Sequence, residues 1–300
     1  MDHYLLVIVG PTAVGKTKLA IELARFYDAE IISADSRQFY KELEIGTAKP
    51  SPDELAAIPH HFVNSHSIFE NVSAGQFEKI ALAKIRDLFR KKQWVVMVGG
   101  SGLYINAVTM GFAEIPAIDS KIRQQLNDRL LREGLEALVN YLEKVDPVYS
   151  VTVDPKNPQR VVRALEVYEG TGIPYSEWRK PATTPREFEV IKIGLEQERS
   201  LLYQRIDRRM ELMIEEGLFE EAERLFEYRH LNALQTVGYK EIFDHLQGQY
   251  DRAECVRLLK RNSRRYAKRQ LTWFKRDAAT RWFEPGDLRN IINYVNVVTS

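Results

Sequence analysis

The sequence predicts an α/β fold, with a parallel sheet core flanked by helices and an all-helical insertion domain. Three observations carry this. Short Val/Ile-rich strands alternate with helices over residues 4–98, and the first strand runs straight into a glycine-rich phosphate loop. Between Gly111 and about Pro185 the pattern changes to amphipathic helices punctuated by proline. Strands that read as nearly unbroken apolar runs are buried on both faces, as parallel strands are. The core is therefore predicted to be P-loop NTPase-like, comprising residues 1–112 and 186–300. Residues 113–185 form the insertion.

The first strand, Tyr4-Leu-Leu-Val-Ile-Val9, meets Gly10-Pro11-Thr12-Ala13-Val14-Gly15-Lys16-Thr17, and an apolar-periodic helix follows over 15–27. This is G-x-x-x-x-G-K-[ST] in its structural context. Its glycines let backbone N–H groups turn toward phosphate oxygens, Lys16 adds charge, Thr17 offers a hydroxyl to Mg²⁺, and the helix N-terminus adds its dipole. A diphosphate or triphosphate is expected there, although the motif does not say whose.

The second strand, 30–34, leads into Asp35-Ser36-Arg37-Gln38. Ligands of open α/β sheets bind beyond the carboxyl ends of the strands, so Asp35 is placed in the crevice of the phosphate loop. It reads as a base, a Mg²⁺-shell carboxylate or a cap. Ser36, Arg37 and Gln38 suit recognition of a polar planar group. His60-His61 lacks a third ligand nearby and reads as structural. A helix over 76–92 precedes the third strand, 94–98, which ends in Gly99-Gly100-Ser101-Gly102. Many P-loop ATPases place an Asp at this strand end to hold Mg²⁺, and the glycines here count against a standard phosphoryl-transfer engine. They permit either a close approach or a tight turn.

Helices are expected in the insertion over 120–133, 135–145, 158–170 and around Trp178, with hinges near 111–116 and 180–185. A strand over 190–195 returns the chain to the core. Long helices then run from Arg199 to Trp282, broken at Thr236-Val-Gly238-Tyr239. Arg205 and Arg209 lie one helical turn apart on one face, where their forks suit phosphate oxygens or an ion pair with a neighbour such as Glu211.

Composition narrows the class. Hydrophobic residues make up 44% and charged residues 28%, ordinary values for a globular protein. No apolar run approaches the ~20 residues that span a bilayer, and the first apolar stretch lacks a basic flank and reads as a strand, not a leader. The one cysteine, Cys255, excludes a disulfide framework and a cysteine-ligated zinc site. A cytoplasmic, membrane-free monomer is expected. Net charge is only +1, yet Arg257 to Arg276 carries nine Lys/Arg and no Asp or Glu. That block reads as a footprint for an anionic polymer or as a solvated helix face. Trp273 and Phe274 could stack on bases, although Tyr266, Gln270 and Trp273 also recur at the spacing of a helix sealed onto its core.

Taken in order, several strings resemble the tRNA dimethylallyltransferase (tRNA isopentenyltransferase) family. They are the phosphate loop, Ser-Ala-Asp-Ser-Arg-Gln-Phe-Tyr, Gly-Thr-Ala-Lys-Pro (46–50), Pro-His-His (59–61) and Gly-Gly-Ser-Gly-Leu-Tyr. Gln-Arg-Val-Val-Arg-Ala-Leu-Glu-Val-Tyr (159–168) and Tyr-Ala-Lys-Arg-Gln-Leu-Thr-Trp-Phe (266–274) complete the set. The resemblance implies transfer of a dimethylallyl group from dimethylallyl diphosphate to N6 of the adenosine 3′ of a tRNA anticodon. By similarity, Asp35 accepts the N6 proton. Thr12, Lys16, Thr17 and Arg205, with Mg²⁺, take up charge on the departing diphosphate. Ser36, Arg37, Gln38, Ser101, Arg123, Gln159, Arg160, Arg163 and the segment from Gly238 to Lys240 contact the anticodon stem-loop. Ser101 stands where the family often has threonine, and extra prolines in 154–159 depart from its usual Asn-Asp. No Cys/His pairs follow Trp282, so a bacterial-type member without a zinc-finger extension is expected. The alternatives are an ATP-dependent small-molecule or nucleotide kinase, a prenyltransferase acting on free adenine nucleotides, and a non-catalytic RNA-binding protein.

Overall fold

The structure is a computed structural model that describes residues 2–111, 115–179 and 185–300. The chain divides into two compact units, residues 1–109 with 186–300, and residues 110–185. The expected hinges fall in part on residues 112–114 and 180–184, outside the described residues.

The first unit is built on a six-stranded sheet in which every pairing is parallel. The strands are β1 (Tyr4–Val9), β2 (Glu30–Ser33), β3 (His60–His61), β4 (Trp94–Val98), β5 (Glu189–Leu195) and β6 (Arg281–Phe283), in the spatial order β3-β2-β4-β1-β5-β6. Alternate residues of each central strand enter opposite layers. Leu5, Val7, Ile32, Val95 and Met97 join one core, whereas Leu6, Ile8, Ile31, Val96 and Val98 join the other. That two-sided burial is why these strands lack polar alternation.

Helices close both layers. The second face receives α1 (Lys16–Phe26) through Leu19 and Leu23. The first is covered by α3 (Ala74–Phe89) and α4 (Gly102–Met110), while α2 (Pro52–Ala57) is a short capped turn before β3. Within the second unit, α5 (Ser120–Val145) is broken at Gly134, whose φ of 83° and ψ of 168° leave the helical path and separate the two expected helices. It packs with α6 (Pro147–Ser150), α7 (Pro158–Thr171) and α8 (Tyr175–Trp178) around Leu126, Leu138, Leu142, Val161 and Leu165. Back in the first unit come α9 (Arg199–Glu215), α10 (Leu218–Arg224), α11 (Tyr239–Leu246), α12 (Arg252–Phe274) and α13 (Leu288–Val298).

One expectation is corrected. Helix does not continue to Trp282, because α12 stops at Phe274 and residues 281–283 instead extend the sheet as β6. The His60-His61 pair forms an edge strand against β2, with His61 Nε2 2.7 Å from the Glu30 carboxylate.

A buried carboxylate fixes the loop that follows β2. Glu221 of α10, only 3% exposed, accepts hydrogen bonds from the backbone N–H groups of Glu44, Ile45 and Gly46 and from the Tyr239 hydroxyl. Burial and the adjoining carboxylate push the Tyr239 phenol far above its ordinary value, so it stays a donor. Glu221→Ala strands these donors together. We expect it to destabilise the protein by about 3 kcal/mol or more, read as a lower denaturant midpoint at unchanged slope.

Candidate active site

The phosphate loop leaves β1 at Gly10 and enters α1 at Lys16. Its residues Thr12, Ala13, Gly15, Lys16 and Thr17 form one wall of a cleft of about 600 Å³. Ser33, Asp35 and Gln38, at the carboxyl end of β2, and Val98 and Gly99, at that of β4, line the same cleft. Arg205, Arg208 and Arg209 of α9 close it from another side. The β2 end and the phosphate loop thus meet as strand-end geometry requires.

Positive charge in the cleft converges on the phosphate loop. Arg209 Nη2 donates to the Thr12 hydroxyl. Arg205 Nη2 lies 3.7 Å from the point a Cβ on Gly15 would occupy. Neither pairs with Glu211, which instead accepts from Arg208 and Lys260. Lys16 folds back, donating to the Pro11 carbonyl at 2.8 Å. Burial pushes its ammonium down to about 8; the Asp35 charge opposes that shift and Arg209 adds to it. Burial likewise holds the Arg209 guanidinium below the usual arginine value, partly offset by Asp35.

Asp35 is half-buried, and its Oδ1 accepts from the Arg37 N–H at 3.0 Å, an Asx turn that fixes the carboxylate at the crevice. Ser36 and Ser101 tie the two strand ends together. The Ser101 hydroxyl accepts from the Ser36 N–H at 2.9 Å and lies 3.1 Å from the Ser36 hydroxyl. Gln38 is held by the Ser33 hydroxyl and by the Ala48 carbonyl, at 3.1 Å each. Arg37 is turned away from the cleft, donating to the backbone carbonyls of Asn232 and Ala233. It anchors a loop instead of presenting a free fork. Gly238 begins α11 with φ 106°, and Lys240 is exposed beside it.

The glycines after β4 are a close approach. A Cβ on Gly100 would lie 2.2 Å from Gln270 Nε2, and one on Gly102 would lie 2.1 Å from the Trp273 indole nitrogen. So α12 is pressed against the strand end. Gln270, buried and bonded to Gly100, and Trp273, packed on the core, do seal that helix, whereas at Tyr266 burial and then Asp35 raise the phenol well above its ordinary value.

Reading the 257–276 block as a bare cationic surface needs correction. Arg257 pairs with Glu254, Lys260 with Glu211, Arg264 with Asp207 and Lys275 with Glu196. What α12 exposes on the face opposite Gln270 is Arg265, Lys268 and Arg269. In the second unit, Arg123 and Arg163 share the buried Glu166, at 3.0 and 3.1 Å, while Gln159 and Arg160 are exposed on α7.

Arg209 and Gln270 both reach the phosphate loop through Thr12, a placement that the sequence pattern left open, with Gln270 read only as sealing its helix. The one-turn spacing from Arg205 was the available signal for Arg209, and the Lys-Arg-Gln-Leu-Thr-Trp-Phe string was the signal for Gln270.

A parallel sheet with a phosphate loop after its first strand, and with cations converging on that loop, defines a P-loop NTPase-like enzyme. The IPP transferase family profile matches residues 38–277. A Cytophaga hutchinsonii protein named tRNA dimethylallyltransferase is 49% identical over 295 residues, 98% of this chain and 97% of the relative. Its Christiangramia forsetii namesake is 48% identical, with 98% of each chain covered. The crystal structure of the tRNA isopentenylpyrophosphate transferase of Bacillus halodurans is 37% identical over 99% of this chain and 96% of its own, with a TM-score of 0.72. A eukaryotic dimethylallyltransferase solved acting on tRNA is 29% identical over 96% of this chain and 75% of its own, with a TM-score of 0.78. The chain belongs to the IPP transferase family and is a prenyltransferase.

Proposed function

We propose that this enzyme transfers a dimethylallyl group from dimethylallyl diphosphate to N6 of the adenosine 3′-adjacent to the anticodon of tRNA, releasing diphosphate. The observation that carries this reading is the pairing, in one cleft, of a cationic phosphate loop with a carboxylate at the neighbouring strand end. The N6 amine is a poor nucleophile, and the allylic C–O bond breaks with carbocation character. Stabilising the charge that grows on the leaving diphosphate is therefore the dominant task, assigned to Lys16, Arg205 and Arg209 around Thr12. As the N6–C1 bond forms, Asp35 takes the amine proton.

Mg²⁺ fits this donor set. The Thr17 hydroxyl, a hard oxygen donor, lines the cleft while Asp35 is kept for the amine proton, and no group of three His, Cys, Asp or Glu side chains that could hold a metal occurs among the described residues. Mg²⁺ commonly takes one or two protein ligands and draws the rest from phosphates and water. It would supply charge neutralisation at the diphosphate oxygens.

The adenosine must leave its stack to reach Asp35, at lower cost in a loop than in a duplex. Gln38 lines the cleft, and Ser36 and Ser101, bonded to each other, hold the two strand ends beside Asp35. We assign Gln159, Arg160, Arg123 and Arg163 of the insertion to the stem-loop, with Glu166 orienting the last two forks. We assign the enzyme as a monomer that acts in the cytoplasm, where tRNA is found.

Binding that releases counterions weakens steeply with salt. Lys268→Glu is expected to lower tRNA affinity and flatten the salt slope, leaving dimethylallyl diphosphate affinity unchanged. Arg264→Glu should act chiefly on stability, because it places two carboxylates together at Asp207. A salt series of tRNA affinities for both variants, with thermal melts, checks this.

Incubation with labelled dimethylallyl diphosphate and tRNA, AMP or ATP in parallel tests the function. Label is expected in tRNA alone. Label in AMP would mean a free-nucleotide prenyltransferase, and ATP consumption without label transfer would mean a kinase.

A further inference from the structure

Within the first unit, one buried amide spans the two halves of the cleft. Gln270 of α12 is 6% exposed. Its Oε1 accepts from the Thr12 N–H at 2.8 Å, and its Nε2 donates to the Gly100 carbonyl at 3.0 Å. The partners fix the amide orientation, because an N–H faces one end and a C=O the other. No other side chain among the described residues bonds both loops.

Thr12 belongs to the leaving-group loop and is held a second time by Arg209 through its hydroxyl. Gly100 belongs to the acceptor side. The adjoining Ser101 binds Ser36, and Asp35 Oδ2 lies 3.9 Å from where a Gly100 Cβ would sit. A side chain at Gly100 would displace the Gln270 amide.

Resting on the transfer chemistry above, we propose that Gln270 is a positioning residue that sets the spacing between the diphosphate loop and the acceptor turn. The reacting carbon and nitrogen must be held about 3–3.5 Å apart for attack, and a shift of about 1 Å can cost on the order of 10²-fold in rate. An amide is required because the bridge needs an acceptor at one end and a donor at the other. Methionine keeps the bulk and loses both bonds. Glutamate keeps the bond from Thr12 but has no proton for Gly100 unless it is protonated.

The test uses the full-length enzyme as wild type, Gln270→Met and Gln270→Glu. Single-turnover prenylation is measured at saturating dimethylallyl diphosphate and anticodon stem-loop, across pH. Equilibrium affinities for inorganic diphosphate and for the stem-loop are measured alongside. Both variants are expected to bind diphosphate and RNA close to wild-type strength, with turnover about 10²-fold slower in Gln270→Met. The Gln270→Glu rate, taken as a ratio to wild type, should recover as pH falls and its carboxyl gains the donor proton. That recovery ties the loss to the bond donated to Gly100, and a purely structural glutamine would lower diphosphate affinity and thermal stability along with the rate.

The inference is overturned by a wild-type rate in Gln270→Met, or by a rate loss matched by an equal loss of diphosphate affinity, which would make Gln270 a loop cap only. Should Gln270→Met fail to fold, a flat rate ratio for Gln270→Glu across pH overturns it. A wild-type enzyme that transfers nothing would sink the transfer reading, and this inference with it. An active wild type matched by its variants would sink the inference alone.

Discussion

Asp35→Ala is expected to slow prenyl transfer by about 10²–10⁴-fold, the usual cost of losing a general base, while tRNA affinity falls far less. Asp35 lies at the end of β2 in the same cleft as the phosphate loop, and its carboxylate is fixed by the Arg37 N–H. Alanine removes both the base and this turn, so Asp35→Asn is the sharper comparison. Asparagine can still accept from Arg37 but takes up the N6 proton poorly. Both variants should be comparably slow in single turnover at saturating substrates. A near-normal rate in Asp35→Asn would reduce the residue to a cap.

Lys16→Ala should weaken diphosphate binding and slow its departure, by about 10²–10³-fold in rate if Lys16 acts as other charge-stabilising donors do. The wild-type lysine also predicts a pH response. Burial holds its ammonium near 8 in the free enzyme, below its ordinary value. It is charged below that pH and loses its proton above it, so affinity for dimethylallyl diphosphate should be full near pH 7 and fall as pH rises past about 8. Lys16→Ala should lose that dependence. Titration of inorganic diphosphate from pH 6.5 to 9.5, a range of roughly three units around the lysine pKa, reads it directly. Arg205→Ala should also slow departure, and Arg209→Ala should do so through the Thr12 hydroxyl it holds. An Arg205→Ala enzyme with a normal rate would pass the leaving-group role to Arg209.

The central strands and the phosphate loop were legible because their signals are local. Apolar runs at 4–9 and 94–98 report two-sided burial, and the loop pattern lies between a strand and a helix. Asp35 followed from the strand-end rule. The edge strands were not legible. β3 and β6 are two and three residues long, too short to show a period, and exist only because β2 and β5 are there to pair with. The helix α13 could have been read, since Leu288, Ile291, Ile292 and Val295 recur at helical spacing.

Long-range polar pairing was the other gap. Within 257–276 no acid is present, yet Asp207 and Glu211 reach α12, and Glu196 reaches Lys275 just past its end, from elsewhere in the chain. Gln270 looked like any helical glutamine until Gly100 and Thr12 were brought against it. Arg37 sits beside the proposed catalytic carboxylate in sequence, yet its side chain is used by the carbonyls of Asn232 and Ala233.

The most direct measurement is chemical identification of the product. The enzyme is incubated with dimethylallyl diphosphate, Mg²⁺ and a tRNA carrying adenosine 3′ of its anticodon, and with the same tRNA bearing guanosine there. Each RNA is then digested to nucleosides and analysed by mass. The account predicts N6-dimethylallyladenosine from the first RNA, one released diphosphate per modified nucleoside, and no modification of the second. Equal modification of both RNAs, or release of diphosphate without a modified adenosine, would contradict it.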